Sequence, residues 1–169
     1  ALLKFARDKI VDAVLASALA ETKEGIAIDA DYLRSVVLGF GLDETVSGGT
    51  KLYLNRADLY LLGKVRGTSE KKPLYDIKFE AGGNTGTITE GGMSTGFAIT
   101  NKLTEGTQLY GQPKTVRLLL WGDYQISTDE GGDYFKRNMM GIRALASAGT
   151  DLVVPNGMQI IKQAAGTEG

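Results

Sequence analysis

Asp123 and Glu130 are among the carboxylates of this chain that could do acid–base chemistry without help from His or Cys. A pair of carboxylates can hydrolyse a glycosidic bond, one as acid and the other as base or nucleophile, if the two face each other about 5 to 10 Å apart across a cleft. Nothing in the sequence places these two in that way. Asp123 follows Trp121-Gly122 with no partner base or metal motif nearby, and reads as an Asx-type turn contact. The acidic run Asp129-Glu130-Gly131-Gly132-Asp133 lacks the twelve-residue ligand spacing of a calcium loop and reads as solvated. Asp29-Ala30-Asp31 suits the start of a helix better than a cation site. The Gly-rich 82–92 stretch has neither the Lys-Ser/Thr ending of a phosphate loop nor G-x-G-x-x-G spacing, so nucleotide binding is not expected. Lys64, Arg66, Lys71 and Lys72 place four cations in nine residues. No aromatics interleave them to stack on bases, and the run reads as a solvated connection. No catalytic, cofactor-binding or metal-ligating residue is therefore expected, and the chain is not expected to be an enzyme.

Composition narrows the chemistry further. The 169 residues include no Cys and no His. Disulfide frameworks, thiolate metal sites, His-bearing zinc sites and Ser-His triads are thus excluded within the chain. Nineteen Lys and Arg nearly balance 20 Asp and Glu, so no overall positive field draws the chain to nucleic acid or anionic lipid, and no specific nucleic-acid site is expected. No stretch approaches the roughly 20 apolar residues of a membrane span, because Asp12 and Ser17 interrupt residues 10–19; a soluble protein is expected. The sequence begins at Ala1 on a helical pattern, without an initiator Met, basic flank or signal cleavage site, and the expectation is that preceding residues have been removed. Glycine is the outlier, 23 of 169 residues, about twice the usual share of about 7%. Its pairs at Gly48-Gly49, Gly82-Gly83, Gly91-Gly92 and Gly131-Gly132 punctuate ordered elements without a regular period.

The elements follow from these breaks. Residues 2–20 carry Leu3, Ala6, Ile10, Val14 and Ala18 at helical spacing. A second helix is predicted over 30–38 with Asp29 as its N-cap. Residues 51–54 read as a strand, and Asn55 can cap a helix over 56–62. Tyr75, Ile77 and Phe79 alternate as a half-buried strand does, and Gly82-Gly83-Asn84 turns the chain into a partner strand over 85–89. Residues 97–100 form another short strand. Val116, Leu118, Leu119 and Leu120 imply an interior strand over 115–121, ended by Gly122-Asp123, with a new strand over 124–128. Residues 135–148 fit both helical and strand periods, and periodicity does not decide between them. Strands over 152–154 and 158–162 flank the turn Pro155-Asn156-Gly157.

In its order of elements, the chain resembles the C-terminal portion of the major capsid protein of tailed bacteriophages and prophages, the HK97-like family. The residues that carry this are Trp121-Gly122-Asp123-Tyr124, the strand that closes on Asn55 before a helix, and the terminal pattern around Pro155. The resemblance implies an α+β fold with an axial lobe, mainly residues 1–134 including the first helix, and strands over 135–169 that return to the sheet of a peripheral lobe. It also makes 135–148 a long strand. The family's N-terminal arm, extended loop and spine helix are not visible in this sequence. As function, it implies a structural head-shell protein that assembles with copies of itself into pentamers and hexamers enclosing a genome, with scaffold and portal proteins as further partners. Its place would be the virion capsid, and the host cytoplasm during assembly; no membrane partner and no cofactor is implied. Two other readings stay open: a shell protein of an encapsulin-type bacterial compartment, and a carbohydrate- or surface-binding module, which would want exposed aromatic platforms.

Overall fold

The computed structural model describes residues 2–41, 49–67, 72–129 and 141–163. They form an α+β chain that divides into two compact units, residues 1–117 with 151–169, and residues 118–150. The lobe boundary expected at 134/135 lies outside the described residues.

The larger unit is built on a seven-stranded mixed sheet of order β1-β9-β6-β2-β5-β4-β3. Its strands are β1 (Glu21–Glu24), β2 (Lys51–Leu54), β3 (Asp76–Phe79), β4 (Thr85–Glu90), β5 (Met93–Ile99), β6 (Thr107–Gly111) and β9 (Met158–Lys162). Near its centre, β2 runs parallel to β5 and antiparallel to β6. Alternation along these strands explains what covers the sheet. Leu52, Leu54, Phe97, Ile99, Tyr110 and Ile161 join one core cluster with α2 (Tyr32–Leu38) and α3 (Arg56–Lys64). Their neighbours Tyr53, Ala98, Leu109 and Ile160 join a second with Val11 and Val14 of α1 (Leu2–Ala16). One helix thus covers one face and two cover the other.

Local chemistry sets several boundaries. The first helix stops at Ala16, short of the predicted residue 20, where the Ser17 side chain accepts the Leu19 N–H at 3.2 Å and competes with the helical pattern. The second starts at Tyr32, because Asp29 spends its carboxylate on the Asp31 N–H at 2.9 Å; Asp31, not Asp29, occupies the N-cap position. Asn55 caps α3 as its spacing predicts, accepting from the Ala57 N–H at 3.2 Å. Between β4 and β5, Gly91 and Gly92 take φ values of 53° and 86°, the two consecutive positive values that a two-residue hairpin turn of the primed type requires. The predicted hairpin around Gly82-Gly83-Asn84 forms between β3 and β4. Local pattern does not announce β1 or β6; β1 is a charged edge strand, Glu-Thr-Lys-Glu, with no apolar alternation to reveal it.

A buried polar network ties the helices to the sheet. Asp58 is fully buried in the first turn of α3. Its two carboxylate oxygens accept from the Gly106 N–H and from Nε2 of Gln108, each at 3.1 Å. The Tyr32 hydroxyl of α2 donates to Oε1 of Gln108 in β6. Burial is the main cause holding the Tyr32 phenol well above the usual tyrosine range, with the Asp58 charge second, so the hydroxyl stays a donor. Tyr53, on the opposite face, is pushed up to about 12 by burial, against the pull of the Arg7 cation.

Gly86 shows how tightly the sheet is filled. It pairs with Phe79 on one side and Phe97 on the other, and those rings meet edge to face at 5.4 Å. A Cβ on Gly86 would stand 2.0 Å from the Lys78 carbonyl oxygen and 2.7 Å from the Phe97 ring. Gly86→Ala is expected to cost about 1 to 3 kcal/mol in urea unfolding. Gly96→Ala should be near neutral in the same assay, because its Cβ would meet nothing closer than 3.7 Å. Asp58→Ala strands two buried donors, and the expected loss is about 2 to 5 kcal/mol by the same measurement. The raised Tyr53 value means that its stabilising contribution is complete below the unfolded value of about 10 and is lost as pH rises towards the folded one. Tyr53→Phe should therefore flatten the fall of unfolding free energy between about pH 10 and 12.

Candidate functional site

The carboxylate chemistry open to the sequence does not become a described site. Asp123 lies within β7 (Val116–Asp129), and Glu130 lies outside the described residues, as do positions 131–133 of the acidic run. Among the described residues, no cluster of three or more Asp and Glu could hold a metal ion. The fully buried carboxylate, Asp58, already has both oxygens occupied by donors of the fold, so it serves the core and offers no free base. It went unnoticed in the sequence, where an acidic residue three positions after the Asn55 cap was the available signal. Among the described residues, no helix is long and apolar enough to cross a membrane.

Of the residues singled out by motif, Asn55 holds backbone on both sides of it. Besides capping α3, Asn55 donates from Nδ2 to the Leu103 carbonyl at 2.9 Å, fixing the loop after β5. Pro155 opens the turn that leads into β9, where Asn156 adopts φ 55° and its N–H donates to the Leu19 carbonyl at 2.9 Å. Gly157 fits against Thr115, whose side chain a Cβ there would meet at 2.6 Å. The backbone of Trp121-Gly122-Asp123-Tyr124 runs inside β7, which corrects the expected break: the strand continues through Gly122-Asp123 to Asp129. Its pairing with β8 supplies the reason, since a ladder holds extended backbone through a Gly that local propensity would make a turn.

The smaller unit is this two-stranded ribbon of β7 and β8 (Gly141–Leu152). Residues 141–148 are strand, the outcome that the resemblance implied and periodicity left open; residues 135–140 lie outside the described set. The strand expected over 152–154 is not separate, because β8 itself runs through Leu152. The interior strand expected over 115–121 is also corrected. Leu118 and Leu119 are 44% and 56% exposed, and Ile126 and Ile142 are each 71% exposed. Adjacent residues of a strand point to opposite faces, so both faces of the ribbon present apolar side chains. Two strands alone have no third layer with which to bury them. What the ribbon offers is surface for packing.

Comparison with solved structures gives this arrangement its context. The chain is similar to a virus-like particle from Pyrococcus furiosus, at 14% identity and a TM-score of 0.58, covering 95% of this chain and 64% of that one. It is similar to a structure of Mycobacterium phage Che8 at 18% identity and a TM-score of 0.57, covering 94% and 56%. The capsid of an empty GTA particle matches at 13% identity and a TM-score of 0.59, covering 86% and 50%. No protein-family model matches the sequence, and no curated protein matches it either. The chain spans from half to just under two thirds of the length of these structures. At such identities the likeness speaks to the fold, and the fold is a partial HK97-like capsid-subunit fold.

Proposed function

We propose that this chain is the shell-forming part of a capsid protein, and more narrowly of the head shell of a tailed bacteriophage or prophage. The observation that carries the reading is a fold shared, over 86% to 95% of the chain, with a capsid and a virus-like particle. The exposed apolar ribbon supports it, because a shell subunit buries such surface against its neighbours when it assembles. In this reading the seven-stranded unit is the axial lobe and the β7–β8 ribbon belongs to the peripheral lobe. Copies of the chain close into pentamers and hexamers, scaffold and portal proteins take part in assembly, and the product resides in the virion after forming in the host cytoplasm. The role is structural, without catalysis.

A second reading, the shell of an encapsulin-type compartment, draws on the likeness to a particle whose source is a cellular organism, Pyrococcus furiosus. Electron microscopy of the intact gene product separates the possibilities. Closed shells are expected, and soluble monomers at high concentration would count against both readings. Shells purified from the native source should contain nucleic acid in the phage case and a protein cargo in the compartment case.

A further inference from the structure

Two cavities of the larger unit, of about 670 Å³ and 760 Å³, adjoin at Arg56 and Ile99, which line both. Lys4, Arg7, Arg56 and Lys102 line the first, with Asp8 as the one carboxylate among the described residues. Asp8 accepts from the Thr100 hydroxyl at 3.5 Å, and Lys102 reaches Asp12 at 3.4 Å, leaving Lys4, Arg7 and Arg56 without a described acidic partner. Arg7 adds a sharper mark: its Nε is buried and has no hydrogen-bond partner among the described residues. A guanidinium stays charged at any accessible pH, so Arg7 contributes a fixed positive charge to the cavity wall.

The second cavity is different in kind. Tyr60 and Phe79 line it and are 65% and 56% exposed. Lys64 and Arg66 stand beside them with Arg56, and among the described residues no acidic one lines the cavity. The Lys64 ammonium sits 4.3 Å from the centre of the Tyr60 ring, over one face only. The Arg66 guanidinium is anchored to the Gly63 carbonyl at 2.8 Å, which holds its charge at the rim. The structure thus assembles what the sequence keeps apart: a track of cations next to exposed aromatic rings.

We propose that this face binds single-stranded nucleic acid without sequence preference, its phosphates along Arg7, Arg56 and Lys64 and its bases against Tyr60 and Phe79. Cationic grooves with aromatic platforms hold single strands in this way, because every base has a face to stack while the backbone supplies the charge. A duplex keeps its bases stacked and unavailable to the rings. A second copy of this chain is a poorer occupant, since it would have to bury Arg56, Lys64 and Arg66 against a surface that pairs all three. The shell reading and this proposal are independent, and either can fail alone.

Fluorescence anisotropy tests the proposal, using the intact gene product before assembly, a labelled oligothymidylate and a duplex of equal length. The single strand should bind more tightly, with an affinity that falls as salt rises. Arg56→Gln should reduce the slope of log affinity against log salt by about 0.7, one phosphate contact on a single strand. Tyr60→Ala should weaken binding roughly 5- to 150-fold, the effect of losing one stacked base, and leave the slope unchanged. Tyr60 is largely exposed, so the thermal midpoint of that variant should match the parent and exclude misfolding as the cause. Equal affinity for the duplex, no binding of the oligothymidylate, or an unaffected Tyr60→Ala variant would each overturn the proposal. So would a Tyr60→Ala variant that loses self-association while keeping its oligonucleotide affinity, because the groove would then belong to a second copy.

Discussion

Burial of both faces of strand β2 is the constraint on which the larger unit depends. Leu52 and Leu54 point to the layer containing α2 and α3, and Tyr53 points to the layer containing α1; all three are buried. A strand covered on both sides needs helices on both sides, and the chain must cross the sheet to supply them. That requirement explains why β2 pairs in parallel with β5, since the chain passes through α3 and the β3–β4 hairpin before it returns. It also explains the position of β9. The C-terminal strand closes the gap between β1 and β6, with Ile160 and Ile161 divided between the two core layers.

The polar groups of this core follow from the same geometry. A helix laid on a sheet buries its first turn, and the amide and carboxylate groups there must find partners or lose stability. Asp58 meets that need with the Gly106 N–H and the Gln108 amide, and Tyr32 completes the chain of bonds from α2. Asn55 performs the same task one turn earlier by joining the start of α3 to the Leu103 carbonyl. Three elements distant in sequence are held in register by groups that would be a burden if any one were missing. The ribbon of the smaller unit is held otherwise. Its two strands pair with each other in the β7–β8 ladder, while Leu118, Leu119, Ile126 and Ile142 remain at the surface. A pair of strands leaves the outer N–H and C=O groups of each strand to solvent, and leaves their apolar side chains uncovered as well.

Net charge also reads differently once the chain is folded. A balance of 19 basic and 20 acidic residues gives no long-range attraction for nucleic acid, yet the fold places Lys4, Arg7, Arg56 and Lys102 around one cavity with, among the described residues, a single carboxylate. Electrostatic potential depends on where charges lie, and a sum over the chain discards that information. The aromatic rings follow the same rule. Tyr60 and Phe79 are 19 positions apart, on α3 and β3, and line one groove with the cations of α3 and its exit.

What the sequence determined by itself is local. The Asn55 cap, the Gly82-Gly83-Asn84 hairpin, the turn at Pro155-Asn156-Gly157 and the limits of β9 were readable because each depends on a few adjacent residues whose dihedral preferences and side-chain reach decide the outcome. The absence of His and Cys chemistry was equally plain. The strand character of residues 141–148 was legible through resemblance, not through periodicity. Only the tertiary structure decided the rest. It made β1 a strand by offering it the edge of β9, carried β7 through Gly122-Asp123 by pairing it with β8, and gave Asp58 its partners in Gly106 and Gln108. The physical reason is common to all three: a hydrogen bond or a buried contact between residues tens of positions apart leaves no period in the local sequence, and its energy exists only when the partner is already in place.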